Sequence, residues 1–327
     1  MSDSSAAKRP DPVTEPRDTL VDADADALDT TDVRSVRSEA HKRLGTTVAG
    51  RYELVSLVGR GSSGAVFEAQ DRERNERVAI KILHSHLERS ADATARFSRE
   101  IHAVSHIAHS AVVRVLDSGR EENGALYLAM ELLRGELLHQ RILAGITSSE
   151  VLEVGRQLLG ALDAAHQRGI VHRDIKPENL FLVGDRGSRI RLKILDFGIA
   201  KTTQPRHGVS FQTLDGLILG TPEYMSPEMC RGLPITPAAD LWSAAASLYH
   251  ALAGVPPFEH ENIGQLLMMI VKERAPLLAE RRPDLRGGLA EAIDRALEPD
   301  PARRFASASA FLHGLASSAP IADLDWD

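Results

Sequence analysis

Three glycines set the first chemical possibility. In Gly59-Arg60-Gly61-Ser62-Ser63-Gly64-Ala65-Val66 they let a backbone approach phosphate groups closely and offer its N–H groups as donors. The residues after Gly64, AVFEAQ, continue as a strand rather than opening a helix, so the loop joins two strands as a lid and a dinucleotide-binding βαβ unit is excluded. The second possibility is a lysine set in an apolar run, Val78-Ala79-Ile80-Lys81. Burying that ammonium alone costs several kcal/mol, so Lys81 needs an acid, and Glu100 in RFSREIHAV is the candidate. Three polar strings follow in order: Val171-His172-Arg173-Asp174-Ile175-Lys176-Pro177-Glu178-Asn179-Leu180, then Asp196-Phe197-Gly198, then Gly220-Thr221-Pro222-Glu223-Tyr224-Met225-Ser226-Pro227-Glu228.

The elements that must position these groups can be read from periodicity. Strand patterns occur at Tyr52–Val58, Ala65–Gln70, Arg77–Leu83, Val112–Asp117 and Ala125–Met130, the last two around a Glu122-Asn123-Gly124 turn. One helical pattern, about Ala93 to His106, interrupts them. Beyond a short hinge near Met130–Gly135 the texture becomes helical: Thr147-Ser-Ser-Glu150 is a capping box, and Val151, Val154, Leu158, Leu159, Leu162 and Ala165 form one apolar face. Leu241–Phe258 carries no Asp, Glu, Lys or Arg in 18 residues. Its Ser243, Ser247, His250, Gly254 and Pro256-Pro257 leave about 13 helical residues, which predicts a helix buried on all sides rather than a membrane span. The predicted fold is α+β and two-lobed: a β-rich lobe over 51–133 and an α-rich lobe over 134–316, flanked by tails at 1–48 and 317–327.

With every string in this order, residues 51–316 resemble a eukaryotic-like (Hanks-type) bacterial serine/threonine protein kinase. The resemblance implies a two-lobed kinase fold and transfer of the γ-phosphate of ATP to Ser or Thr hydroxyls of proteins. Moving a phosphoryl group spreads charge over its oxygens, so the protein mainly supplies positioning and countercharge. By resemblance, Lys81, oriented by Glu100, holds the α- and β-phosphates. Asn179 and Asp196 ligate Mg²⁺, with Mn²⁺ a second metal of the same kind. Asp174 accepts the substrate hydroxyl's proton, and Lys176 touches the γ-phosphate and favours Ser/Thr over Tyr. The residues of the 59–64 loop cover the phosphates, Val66 and Ala79 sandwich adenine, Met130 is the gatekeeper, and the backbone of Glu131 and Leu133 pairs with the adenine edge. His172 and Phe197 are implied spine residues, Glu228 is implied to pair with Arg304, and Asp240 to cap the loop around His172. The family usually has a glycine near the third residue after Trp242, where this chain has Ala244-Ala245-Ala246.

Regulation is expected between Asp196 and Glu228, a segment containing Thr202, Thr203, Ser210, Thr213 and Thr221. A phosphothreonine there could pair with the guanidinium of Arg173. Thr213 is the expected autophosphorylation site, through a transient homodimer, whereas Thr221 is expected to contact Asp174 and Lys176. Two rivals belong to other classes, a pseudokinase-like scaffold and an antibiotic-type small-molecule kinase. Intact Lys81, Asp174, Asn179 and Asp196 argue against the first, and the Gly220–Glu228 segment against the second. His102 and His106 sit at i, i+4 with His109, His84 and His86 near, a spacing that can hold zinc, yet no acid or cysteine completes a site.

The 327 residues are 43% hydrophobic and 26% charged, which excludes a fibrous or wholly disordered chain. Residues 1–32 hold nine acids and three bases, a balance of −6 out of a total of −7, so the remainder is nearly neutral and gives no support for nucleic-acid binding. Residues 1 to about 48 lack aromatics and are expected to form an acidic, disordered tail. A lone cysteine, Cys230, points to a reducing compartment, with the cytoplasm as the expected location, and no export signal or membrane association is expected.

Overall fold

Tyr52 and Leu54, Phe67 and Ala69, and Val78 and Ile80 recur at every second residue of successive short runs, all buried in one cluster. Such alternation is satisfied by laying the runs side by side with one common apolar face. The structure is a computed structural model that describes residues 40–61, 64–83, 91–196, 221–285 and 288–317. In it β1 (Thr47–Val48), β2 (Tyr52–Gly61), β3 (Gly64–Asp71), β4 (Glu76–Leu83), β5 (Val115–Arg120) and β6 (Leu126–Glu131) form an antiparallel sheet in the order β1-β2-β3-β4-β6-β5. Along β4 the even positions Val78, Ile80 and Ile82 join the cluster on one face. Ala79 and Leu83 join a larger core on the other, and Lys81 shares that second face. Register places Val66 opposite Lys81 and Ala79 opposite Met130.

The sheet departs from the sequence reading in two places. The expected strand Val112–Asp117 begins at Val115, because Val112 forms a parallel bridge with Ile194 and Val113 donates its N–H to the Ile194 carbonyl at 3.3 Å. Residues 112 and 113 are thereby committed to the other lobe before β5 starts. The tail also ends before residue 48: Ala40 and Val48 are buried, Leu44 packs on the same cluster, β1 pairs with β2, and Arg43 forms an ion pair with Glu121. A few well-placed apolar residues and one charge pair suffice to order this stretch, where average composition suggests none. Residues 1–39 lie outside the described residues.

Helix α1 (Ala91–Ser105) buries Phe97, Ile101 and Val104, an i, i+4, i+7 stripe, under the sheet. Beyond residues 132–134 come β7 (Gly135–Leu137), α2 (Leu138–Leu143) and α3 (Ser148–His166). The Thr147/Glu150 capping box forms as expected, and all six residues of the expected apolar face are buried. Strands β8 (Leu180–Val183) and β9 (Arg191–Ile194) complete a small antiparallel sheet, β7-β8-β9. Then follow α4 (Pro227–Cys230), α5 (Pro237–Ala253), α6 (Ile263–Lys272), α7 (Leu278–Arg281), α8 (Gly288–Ala296) and α9 (Ala308–Ala316). Helix α5 is buried from Ala239 to Leu252, Ala244 to Ala246 included, and stops at Gly254 in the left-handed conformation, φ 78°. No helix among the described residues is long and apolar enough to cross a membrane.

Candidate active site

The chain between α3 and β8 is irregular, so its backbone polar groups must find partners elsewhere. Asp240, in the first turn of α5 and nearly fully buried, supplies them: its carboxylate accepts the N–H of His172 and of Arg173, both at 2.8 Å, and lies 2.8 Å from His166 Nε2. This is the capping role expected of Asp240. Arg173 is held at φ 67° and Asp196 at φ 48°, left-handed values that non-glycine residues adopt at a cost of roughly 1–3 kcal/mol. Both belong to segments that His172 joins, and stored backbone strain of this kind tends to be found at functional sites.

His172 links the two segments. Its Nδ1 accepts the Asp174 N–H at 3.2 Å, which leaves the proton on Nε2, and Nε2 donates to the Leu195 carbonyl at 3.1 Å. Burial pushes its pKa down against the pull of Asp240, Asp174 and Asp196, so the ring is neutral and the tautomer defined. One imidazole thus spans from the loop carrying Asp174 to the residue before Asp196.

Around it the expected polar side chains converge. Asn179 Nδ2 donates to the Asp174 carboxylate at 2.8 Å and to the Asp174 carbonyl at 2.7 Å. Buried Lys176 donates from Nζ to the Thr221 hydroxyl at 3.0 Å. Arg173, Asp174, Lys176, Thr221, Tyr224 and Met225 line one shallow depression. Across the cleft Lys81 Nζ is 2.6 Å from Asp196 Oδ2. The sequence reading gives Lys81 to Glu100; the acid that meets it among the described residues is Asp196. The side chain of Glu100, on α1, lies outside them. Asp196, two residues beyond the end of β9, is brought to Lys81 by that strand.

Val66 and Leu133 pack against the larger core, which includes Ala79 and Met130, while Glu131 ends β6. Gly61 pairs with Gly64 at the turn end of the β2–β3 hairpin. A Cβ on Gly64 would stand 2.1 Å from the Ile82 carbonyl oxygen, so β4 itself demands glycine there. Gly59 differs: among the described residues a Cβ there would meet nothing within 4 Å, so packing against them does not require glycine. Ser62, Ser63, Phe197, Gly198, Thr202, Thr203, Ser210, Thr213 and Gly220 lie outside the described residues, as do His84 and His86. His109, one of the histidines with zinc-compatible spacing, instead closes a turn by accepting the Ala111 N–H at 3.1 Å.

Behind the site Glu228 and Arg304 form a doubly bonded pair at 2.7 and 2.8 Å. Burial pushes the Glu228 carboxyl up, but the Arg304 guanidinium outweighs it and holds the pKa below the usual range. Cys230 is buried, and burial pushes its thiol up to about 11, as suits a small core residue rather than a thiolate. The sequence reading missed Tyr224 and His250, whose Oη and Nδ1 meet at 2.7 Å; a histidine within an uncharged buried run was the available signal. Burial, aided by His139, lowers the His250 pKa to about 4, so neutral Nδ1 accepts from the tyrosine. The unfolded chain, with an ordinary histidine near 6.5, takes up the proton first as pH falls. Stability present above about pH 6.5 is therefore lost between there and about pH 4. Thermal denaturation against pH should show a shallower loss in His250→Asn than in the wild type; equal slopes remove His250 from the account.

The sequence is matched by the Protein kinase domain family over residues 52–315. Serine/threonine-protein kinase pkn3 of Myxococcus xanthus is 38% identical over 272 residues, 82% of this chain and 50% of that protein. Serine/threonine-protein kinase PknA of Mycobacterium tuberculosis is 34% identical over 281 residues, 84% of this chain and 63% of that one. The crystal structure of the Mycobacterium tuberculosis PknI kinase domain superposes with a TM-score of 0.65 at 28% identity, over 84% of this chain and 98% of that one. The chain spans about half the length of pkn3 and less of the Myxococcus Pkn1, at 42%. From its ordered site and these likenesses together, the chain belongs to the protein kinase family, among its bacterial serine/threonine members.

Proposed function

We propose that the protein transfers the γ-phosphoryl group of ATP to Ser and Thr hydroxyls of protein substrates. The observation that carries this reading is Asp174, its carboxylate bonded by Asn179, close in sequence to Lys176, and joined through His172 to the segment that brings Asp196 to Lys81. The hydroxyl proton passes to the Asp174 carboxylate as the oxygen bonds to phosphorus, and the bond from that phosphorus to the β–γ bridging oxygen breaks, leaving ADP. Lys81 and Lys176 supply fixed positive charge toward the α,β- and γ-phosphates, and the 59–64 loop covers them. Asn179 and Asp196 offer the hard oxygen donors that suit Mg²⁺, or Mn²⁺, which when bound neutralises the triphosphate. Val66, Ala79 and Met130 furnish an apolar slot for adenine, with the Glu131 and Leu133 backbone at its edge.

Protein substrates, autophosphorylation at Thr213 through a transient homodimer, and cytoplasmic residence belong to the same proposal. It is supported by the names of the relatives and the lone buried cysteine. The test is incubation of the full chain with γ-labelled ATP, Mg²⁺ and a general protein substrate, followed by phosphoamino-acid analysis and phosphosite mapping. Label on serine and threonine, including Thr213, is expected. Label on an added aminoglycoside or sugar, with none on polypeptide, overturns the reading.

A further inference from the structure

One carboxylate oxygen outside the catalytic cluster gathers three segments of the chain. Glu131, the last residue of β6, accepts at Oε1 from Lys193 Nζ at 2.6 Å and from the Arg114 N–H at 2.7 Å, while its own N–H donates to the Arg114 carbonyl at 3.0 Å. Lys193 Nζ also points to the Val112 carbonyl at 3.4 Å. Arg114 ends the connector from α1 to β5, Glu131 opens the link between the lobes, and Lys193 lies on β9, three residues before Asp196. Lys193 and Glu131 are each about four-fifths buried, at 19% and 22% side-chain exposure, where a charge-assisted bond is less weakened by water than on an open surface.

Neighbouring backbone contacts run the same way. Ile194 donates its N–H to the Ala111 carbonyl at 2.7 Å and accepts the Val113 N–H, so β9 and the connector are already joined. The Glu131 side chain ties Lys193 of β9 into that junction, beside the backbone bond that Glu131 makes to Arg114. Without Lys193 the carboxylate keeps one backbone donor and loses its countercharge; the Glu131 backbone keeps its bond to Arg114 and its pairing with Val78, but its side chain no longer anchors it to β9 before the ligand arrives.

We infer that Lys193 is a positioning residue for nucleotide: by clamping Glu131 it pre-organises the interlobe backbone that receives the adenine ring. The inference rests on the nucleotide-site reading above and adds to it a residue that touches neither phosphate nor acceptor. Pre-organisation lowers the ordering cost of binding, so its loss appears as weaker affinity for the part of the ligand the link touches. A defect on the adenine side affects adenosine and ADP by the same factor. A defect on the phosphate side spares adenosine.

The experiment measures calorimetric affinities of the full chain for Mg²⁺–ADP and for adenosine, with thermal denaturation, in wild type, Lys193→Met, Lys193→Arg and Glu131→Gln. Lys193→Met is expected to weaken both ligands about tenfold, Lys193→Arg to recover both to within threefold, and Glu131→Gln, which keeps the acceptor oxygen but not its charge, to fall between. Unchanged affinities in Lys193→Met, or loss confined to ADP, overturn the inference while leaving the nucleotide site intact. If Lys193→Met fails to fold, Glu131→Gln decides: wild-type affinity for both ligands is then the overturning result. A wild-type protein that binds neither ligand removes the nucleotide-site reading itself, and this inference with it.

Discussion

Asp174→Asn is expected to lower phosphate transfer by about a thousandfold while leaving nucleotide affinity within about twofold of wild type. The substitution keeps size and keeps an oxygen, so Asn179 Nδ2, now 2.8 Å from the Asp174 carboxylate, still finds an acceptor. The second Asn179 bond, to the residue 174 carbonyl at 2.7 Å, is untouched by any side-chain change. The loop therefore stays clamped by Asp240 beneath and Asn179 above. What disappears is a group able to take a proton and to aim an alcohol by its negative charge, an effect of about 10²–10⁴ in rate for general base catalysis. Steady-state transfer and nucleotide titration on the same preparation separate the two quantities. Transfer within tenfold of wild type sinks the assignment of Asp174 as base. A parallel collapse of nucleotide affinity would show that it is structural.

Arg304→Ala is expected to lower the melting temperature by about 10 °C. Arg304 has no exposed side-chain surface, bonds Glu228 twice, donates to the carbonyls of Glu298, Ala238 and Pro299, and lies 5.0 Å above the Trp242 ring. Removing one member of a buried pair leaves the other charge in low dielectric, at a cost of about 3–5 kcal/mol. At roughly 2–4 °C per kcal/mol for a domain of this general size, the shift is large. Arg304→Lys should recover only part of it, since an ammonium cannot reproduce the planar double bond. Differential scanning calorimetry gives the answer, and a fall of less than about 3 °C for Arg304→Ala contradicts it. Because α4 carries Glu228 only a few residues after Thr221, activity should fall more steeply on warming than in wild type.

The sequence was most legible where spacing alone dictates geometry. Thr147 and Glu150 form their capping box and the six apolar residues behind it are buried, because side chains three and four apart share a helix face whatever surrounds them. The end of the helix at Gly254 was placed correctly for a similar reason, since polar residues and prolines limit an apolar run locally, whereas its start lies at Pro237, four residues before the apolar run at Leu241, and the helix has 17 residues where about 13 were expected. The strands of β2 to β4 followed from alternation. Boundaries failed where a distant segment made the claim, as when Ile194 draws Val112 and Val113 away from β5. Residues 40–48 were misassigned because composition is an average, whereas Ala40, Leu44 and Val48 act as individual anchors.

The order and identity of Gly59–Val66, Lys81, Asp174–Asn179 and Asp196 were enough to point to the protein kinase family, which the match over residues 52–315 shows. Which partner each one takes belonged to the tertiary structure alone. Lys81 meets Asp196 across 115 positions of chain, and Lys193 meets Glu131 across 62. Hydrogen bonds and ion pairs act over a few ångströms, and only the packing of the two lobes determines which residues come within that reach.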